Sequence, residues 1–228
     1  MPKRYKGVIF DFNGVLIDDG HLQELSWQKV LSKITKKNIP LKKITSFIQG
    51  RCVKEIFETY LKRKLSHEEL KFLSNEKERY YRALCLANKE HFSLTKGVEN
   101  FLNWLKNTEI PIGIATSAGK DNMDFYFKYL NLSLWFNRNV IIYDDGTIKC
   151  KPAPDPYILA SKKLRLEPSE VIAIENSTDG IKSAKAAKIG YIIAVCSERQ
   201  PDKFIKKNAN LIINSFEDLM FKLKEESR

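Results

Sequence analysis

The chain has 228 residues, 43% of them apolar and 29% charged, and carries a formal net charge of +11. That apolar share excludes wholesale disorder, and no apolar run approaches the roughly 18 residues a membrane span requires. The excess lysine attracts anions in general. With no nucleic-acid motif beside it, it describes a solvated surface and disfavours nucleic acid as a partner.

The N-terminal MPKRYKGVIFDF opens basic, but the apolar run GVIF is too short for a signal-peptide core, so a cytoplasmic protein is expected. GVIF (7–10) reads as a buried parallel strand that ends on Asp11. From about Asp18 to Asn88 the apolar residues recur at helical spacing, in LQELSWQKVLSKI, VKEIFETYLKRKL and HEELKFLSNEKERYYRALCLA. Pro40 and Gly50 interrupt this region, and Ser66 with Glu69 forms a capping box. Several helices and no strand are predicted there. A helix follows over VENFLNWLKN, and then strands and helices alternate. The strands are IPIGIAT (110–116), NVIIY (139–143), VIAI (171–174), YIIAV (191–195) and LIIN (211–214). The helices are DNMDFYFKYL, DPYILASKKL, DGIKSAKAAKI and FEDLMFKLKEE. This alternation predicts an α/β fold, a parallel sheet covered on both faces, with an all-helical insert after the first strand.

Cys52, Cys85, Cys150 and Cys196 are scattered, so neither a disulfide framework nor a zinc site is expected. His21, His67 and His91 form no spaced ligand set. Ligands of open parallel sheets bind at the C-terminal strand ends. Those ends carry Asp11, then Thr116 and Ser117, then Glu175 and Asn176, with Lys151 just before a helix on the same edge. A carboxylate, hydroxyls, a cation and further acid suit phosphate and a divalent cation.

Four segments in this order, DFNGVLID (11–18), the strand ending in Thr116, KPAPDPY (151–157) and AIENSTDGIKSAKAAKIG (173–190), resemble the haloacid dehalogenase superfamily. The likeness is to its beta-phosphoglucomutase-like branch with a helical cap. The resemblance implies a Rossmann-like, doubly wound core over residues 1–16 and 93–228 and a helical cap over 17–92. It implies a Mg²⁺-dependent hydrolase acting on small phosphorylated substrates with sugar phosphates favoured; a monomer is expected. Asp11 would be the nucleophile that becomes an aspartyl-phosphate. Asp11, the main-chain carbonyl of Asn13, Glu175 and Asn176 would hold Mg²⁺. Thr116 and Lys151 would bind the transferring phosphoryl group, with Ser117 beside them. Gly50, Arg51 and Lys77 would face the substrate, against the alternative that Arg51 and Lys77 belong to a solvated helix face.

The chain departs from that pattern at three positions. Asn13 stands where the family's phosphatases and mutases carry an acid–base Asp, and an amide exchanges no proton near neutrality. Asn176 replaces an Asp, and Gln23 replaces the mutases' hinge histidine. Asp179 is a candidate to compensate, against a helix-capping role. Phosphatase chemistry therefore leads. Mutase-type phosphotransfer and a weakened protein that only binds a phosphorylated ligand stay open. Phosphonate cleavage, whose lysine would fall near Val53 with Lys54 a step away, ranks lower.

Overall fold

A computed structural model describes residues 5–48, 53–196 and 203–225. Gly50 and Arg51 lie outside the described residues. The chain forms two compact units, one of Met1–Asp18 with Leu94–Arg228 and one of Asp19–Ser93.

The first unit holds six parallel strands: β1 (Gly7–Phe10), β2 (Ile112–Gly119), β3 (Ile141–Asp144), β4 (Val171–Glu175), β5 (Tyr191–Val195) and β6 (Leu211–Ile213). Their order across the sheet is β3-β2-β1-β4-β5-β6. All residues of β1 and β4 are buried, which explains why both read as unbroken apolar runs rather than alternating ones. Val8 pairs with Ile112 on one side and Ile172 on the other, so β1 is central and the strand order reverses at its edges. That reversal opens a crevice at the C-terminal ends of β1, β2 and β4.

In the same unit lie the helices α5 (Val98–Asn107), α6 (Lys120–Tyr129), α7 (Asp155–Leu164), α8 (Thr178–Ala186), α9 (Lys203–Asn208) and α10 (Phe216–Glu225). Ile9, Ala115, Ala173, Tyr157, Ala160, Ile181 and Ala184 pack together as the core beneath α7 and α8. A separate aromatic group forms around Phe10, whose ring lies 6.1 Å from Phe101, 6.0 Å from Phe136 and 6.5 Å from Phe216. β2 runs three residues beyond the predicted 110–116 strand, with a register irregularity between Ala115 and Gly119. α9 was not predicted: at six residues, three of them lysine, it is too short to display an amphipathic period.

The second unit consists, among the described residues, of four helices and no strand: α1 (Gly20–Thr35), α2 (Leu41–Ile48), α3 (Val53–Leu61) and α4 (His67–Ala87). Its core joins Trp27, Val30, Leu31, Ile39, Ile44, Ile56 and Phe57. The Trp27 and Phe57 rings lie 5.0 Å apart. The expected capping box is present: the Ser66 side chain accepts from Glu69 N, and Glu69 accepts from Ser66 N. Among the described residues, no helix is long and apolar enough to cross a membrane.

The aromatic group should anchor the first unit. Phe101 is 1% exposed and touches Phe10, Phe216 and Trp104. Phe101→Ala is expected to cost about 3–5 kcal/mol of stability, read as a lower urea midpoint at an unchanged slope.

Candidate active site

β1 delivers Asp11 into the crevice, and Asp11 N still donates to Ile174 O at 2.9 Å, extending the ladder by one residue. The chain then turns sharply. Phe12 O accepts from Leu16 N at 2.9 Å, and Gly14 adopts φ +77, a conformation that favours glycine. A Cβ on Gly14 would stand 1.9 Å from Asn176 Nδ2, so the amide of Asn176 fills the space beside this turn. Asn13 is held differently. Its Nδ2 donates to the hydroxyl of Tyr126 at 3.0 Å, and Tyr126 stacks on Phe12 with ring centroids 4.3 Å apart.

Lys151 lies between two carboxylates. Its ammonium donates to Asp11 Oδ1 at 2.7 Å and to Glu175 Oε1 at 2.5 Å, and its side chain is only 6% exposed. The ring of Tyr157 lies 5.3 Å from the same ammonium, within cation–π range. Burial opposes the charged form of Lys151, but the two carboxylates more than offset it and its pKa is raised. Asp11 responds in the opposite sense to its salt bridge. Burial pushes its carboxyl from an ordinary 3.8 to about 7, with Lys151 pulling down and Glu175 pushing up.

Glu175 is fully buried, and each of its oxygens accepts hydrogen bonds within the protein. Oε1 accepts from Lys151 and from the Tyr157 hydroxyl at 2.8 Å. Oε2 accepts from Asn176 N at 3.1 Å, Ser177 N at 3.4 Å and Ser177 Oγ at 3.2 Å. A carboxylate offers about four lone-pair sites, and these five donors occupy them. Ser177 also caps α8, accepting from Gly180 N at 3.0 Å. A Cβ on Gly180 would stand 2.0 Å from the Glu175 carboxylate, so only glycine leaves room for this anchor.

Thr116 stands at the same sheet edge on β2, 3% exposed, its Oγ1 accepting from Ala118 N at 3.1 Å. Ser117, the next residue, is exposed. Asp179 is paired with Lys182 at 3.0 Å on the outside of α8, which fits the helix-end role and not a compensating acid. In the helical unit, Lys77 is 4% exposed and is therefore not part of a solvated face. It donates to Gln23 Oε1 and to Glu78 Oε1, the latter at 2.9 Å, and lies over the rings of Trp27 and Tyr81. Gln23 Nε2 and the Tyr81 hydroxyl both donate to the buried Asp19. Sequence reading missed Tyr157, Tyr126 and Ser177. Tyr157 closes the KPAPDPY segment and Ser177 follows Asn176, so both lay in sight, whereas nothing local marked Tyr126.

Residues 8–194 match the haloacid dehalogenase-like hydrolase family. The chain belongs to this family. A phosphorylated carbohydrates phosphatase of Thermotoga maritima is 25% identical over 96% of this chain and 99% of its own. A beta-phosphoglucomutase of Bacillus subtilis is 28% identical over 97% of this chain and 94% of its own. Among solved structures, a HAD hydrolase of family IA, variant 3, from Entamoeba histolytica superposes with a TM-score of 0.85 at 34% identity, covering 93% of this chain and 94% of that one. The chain is thus a haloacid dehalogenase-like enzyme of phosphatase type, with a parallel-sheet core and a helical cap.

In this family setting, the donors that could take Mg²⁺ are the Asp11 carboxylate, the Asn13 main-chain carbonyl and the Asn176 amide oxygen. All are hard oxygens, and Mg²⁺ commonly binds through one or two carboxylates, water and substrate phosphate. The described residues include no group of three His, Cys, Asp or Glu side chains able to hold a metal by themselves. The oxygen donors present are of the chemical type that Mg²⁺ takes.

The raised Asp11 value has a sign that can be checked. Between about pH 4 and 7 the folded chain holds a proton that the unfolded chain has released. Its contribution to stability is full below about 4 and is lost as pH rises to about 7. With no divalent cation present, carboxyl-¹³C NMR should find Asp11 titrating at about 7, and Lys151→Met should move it upward. A midpoint in the ordinary carboxylate range would refute this picture.

Proposed function

We propose that the enzyme hydrolyses small phosphate monoesters, phosphorylated carbohydrates first among them, through an aspartyl-phosphate on Asp11. The observation that carries this reading is the ammonium of Lys151 held 2.7 Å from Asp11 Oδ1 in a buried crevice. It supplies the positive charge that lets a carboxylate and a phosphate dianion approach each other. The printed activity of the Thermotoga relative supports the substrate class.

In the first step an Asp11 oxygen attacks phosphorus, the ester P–O bond breaks, and the leaving alkoxide takes a proton. In the second, water attacks the phosphoryl group on Asp11, the Asp11–phosphorus bond breaks, and free carboxylate and inorganic phosphate result. Lys151 and the Thr116 hydroxyl bind the transferring phosphoryl oxygens, and the exposed Ser117 extends that donor set. Mg²⁺, where bound by Asp11, Asn13 O and Asn176, supplies further charge neutralisation. Tyr157 and Glu175 fix Lys151 in place.

Asn13 limits the rate. Its amide donates to Tyr126 and has no proton to exchange. The leaving group is protonated by water, and the second step has no side-chain base at that position. The same observation favours a second reading, in which the phosphorylated enzyme accumulates because its hydrolysis is slow. It disfavours mutase-type transfer, which needs the same proton exchange.

A phosphate-release screen over sugar phosphates with Mg²⁺ tests the reading. Release should fall to background in Asp11→Asn. Asn13→Asp should raise turnover by roughly 10²-fold or more, the usual worth of a positioned acid–base group. Release that persists undiminished in Asp11→Asn would overturn the proposal.

A further inference from the structure

We infer that this enzyme binds a divalent cation and a phosphate group as a mutually dependent pair, with little affinity for the cation alone, and that Asn176 is the residue that sets this dependence. The inference rests on the proposed phosphate site at Asp11 and Lys151, and it concerns the order and coupling of binding there.

Three observations carry it. The first is that Glu175, one of two carboxylates in the crevice, has nothing left to offer. Its oxygens take Lys151, Tyr157, two main-chain N–H groups and Ser177 Oγ. Gly180 closes against it so tightly that the space for a single Cβ is missing. A carboxylate enclosed in this way does not swing out to a metal without leaving five donors unpaired, each a substantial loss when buried. The second is that Asp11, the other carboxylate, already commits Oδ1 to Lys151. The third is that the side chain beside the Gly14 turn is the neutral amide of Asn176, a weaker partner for a hard cation than a carboxylate.

Charge makes the consequence plain. With all three groups ionised, Asp11, Glu175 and Lys151 sum to about one negative charge, and the lysine ammonium stands 2.7 Å from the Asp11 carboxylate that a cation would use. A bare dication meets one available carboxylate oxygen and a repelling ammonium. A phosphate dianion arriving alone meets Lys151 but also the Asp11 carboxylate it must approach. Arriving together, the dication offsets the repulsion between phosphate and Asp11, and the phosphate oxygens complete the cation's shell and screen it from Lys151. Coupling of this kind is reciprocal, so each ligand must tighten the other by the same factor. An Asp at position 176 would give the cation a second carboxylate and make it less dependent on phosphate.

Calorimetry on the full chain tests this with MgCl₂ and inorganic phosphate as probes, subtracting their association in buffer. In the unsubstituted protein, saturating phosphate should tighten Mg²⁺ at least about 10-fold, and saturating Mg²⁺ should tighten phosphate equally, within the usual range of coupling between sites. Asn176→Asp, nearly isosteric, should tighten Mg²⁺ alone by about 10-fold and shrink the coupling factor. Thermal denaturation of the variant without ligands verifies its fold, and Asn176→Ser, which adds no charge, should leave Mg²⁺ alone as weak as before. Equal Mg²⁺ affinity with and without phosphate would overturn the inference, as would an unchanged affinity for Mg²⁺ alone in Asn176→Asp. Neither readout needs turnover. Coupled binding without release of phosphate from any ester would remove the hydrolysis reading and leave this one standing, and turnover with uncoupled Mg²⁺ binding would do the reverse.

Discussion

The crevice is organised by one buried cation between two buried anions. Lys151 reaches Asp11 and Glu175 at once, and none of the three side chains is more than slightly exposed. Each depends on the others, because a buried charge that loses its partner keeps the full cost of its desolvation. Bringing these groups together uses the adjacency of β1 and β4, the Asp11 that directly follows β1, the Glu175 that ends β4, and the segment before α7 that carries Lys151. The raised pKa of Asp11 follows from the same constraint. Burial drives it up, and the lysine only partly restores the ionised form.

Around this triad the protein builds a scaffold whose purpose is to hold Glu175 still. Tyr157 donates to it from α7, and Ser177 with the first N–H groups before α8 donate from the other side. The absence of a side chain at Gly180 lets the helix start sit directly on the carboxylate. Glu175, held by these donors, in turn accepts from Lys151 and places the ammonium charge at a defined point beside Asp11. Preorganised charge of this sort needs no rearrangement to meet an anion.

Asn13 and Tyr126 illustrate a different compromise. Asn13, two residues past Asp11, is tied into an aromatic stack of Phe12 and Tyr126, a firm structural contact with no proton-transfer capacity. The helical unit contains a comparable arrangement in which Asp19, Gln23, Tyr81 and Lys77 form a chain of hydrogen bonds inside four packed helices. Lys77 is buried and partnered by the Glu78 carboxylate and the Gln23 amide, and that burial separates it from the many solvated lysines that produce the net charge.

Periodicity and motif order, taken from the residues alone, determined the α/β class, the six parallel strands, the all-helical insert, the capping box at Ser66 and the nucleophile candidate at Asp11. These are local properties, because apolar runs, helical spacing and caps are written within a few residues of one another. Family membership was legible for a similar reason, through four short segments in fixed order. α9 escaped because six residues carry too little period. The tertiary structure alone decided the state of each site residue. Asn13 meets Tyr126 across 113 positions and Asp11 meets Lys151 across 140. Whether Glu175 faces a metal or a lysine, and whether Lys77 is buried or solvated, depends on which donors the fold brings within 3 Å. A residue type announces what it can bond to, but desolvation and competition among distant neighbours select what it does bond to, and no stretch of sequence contains that choice.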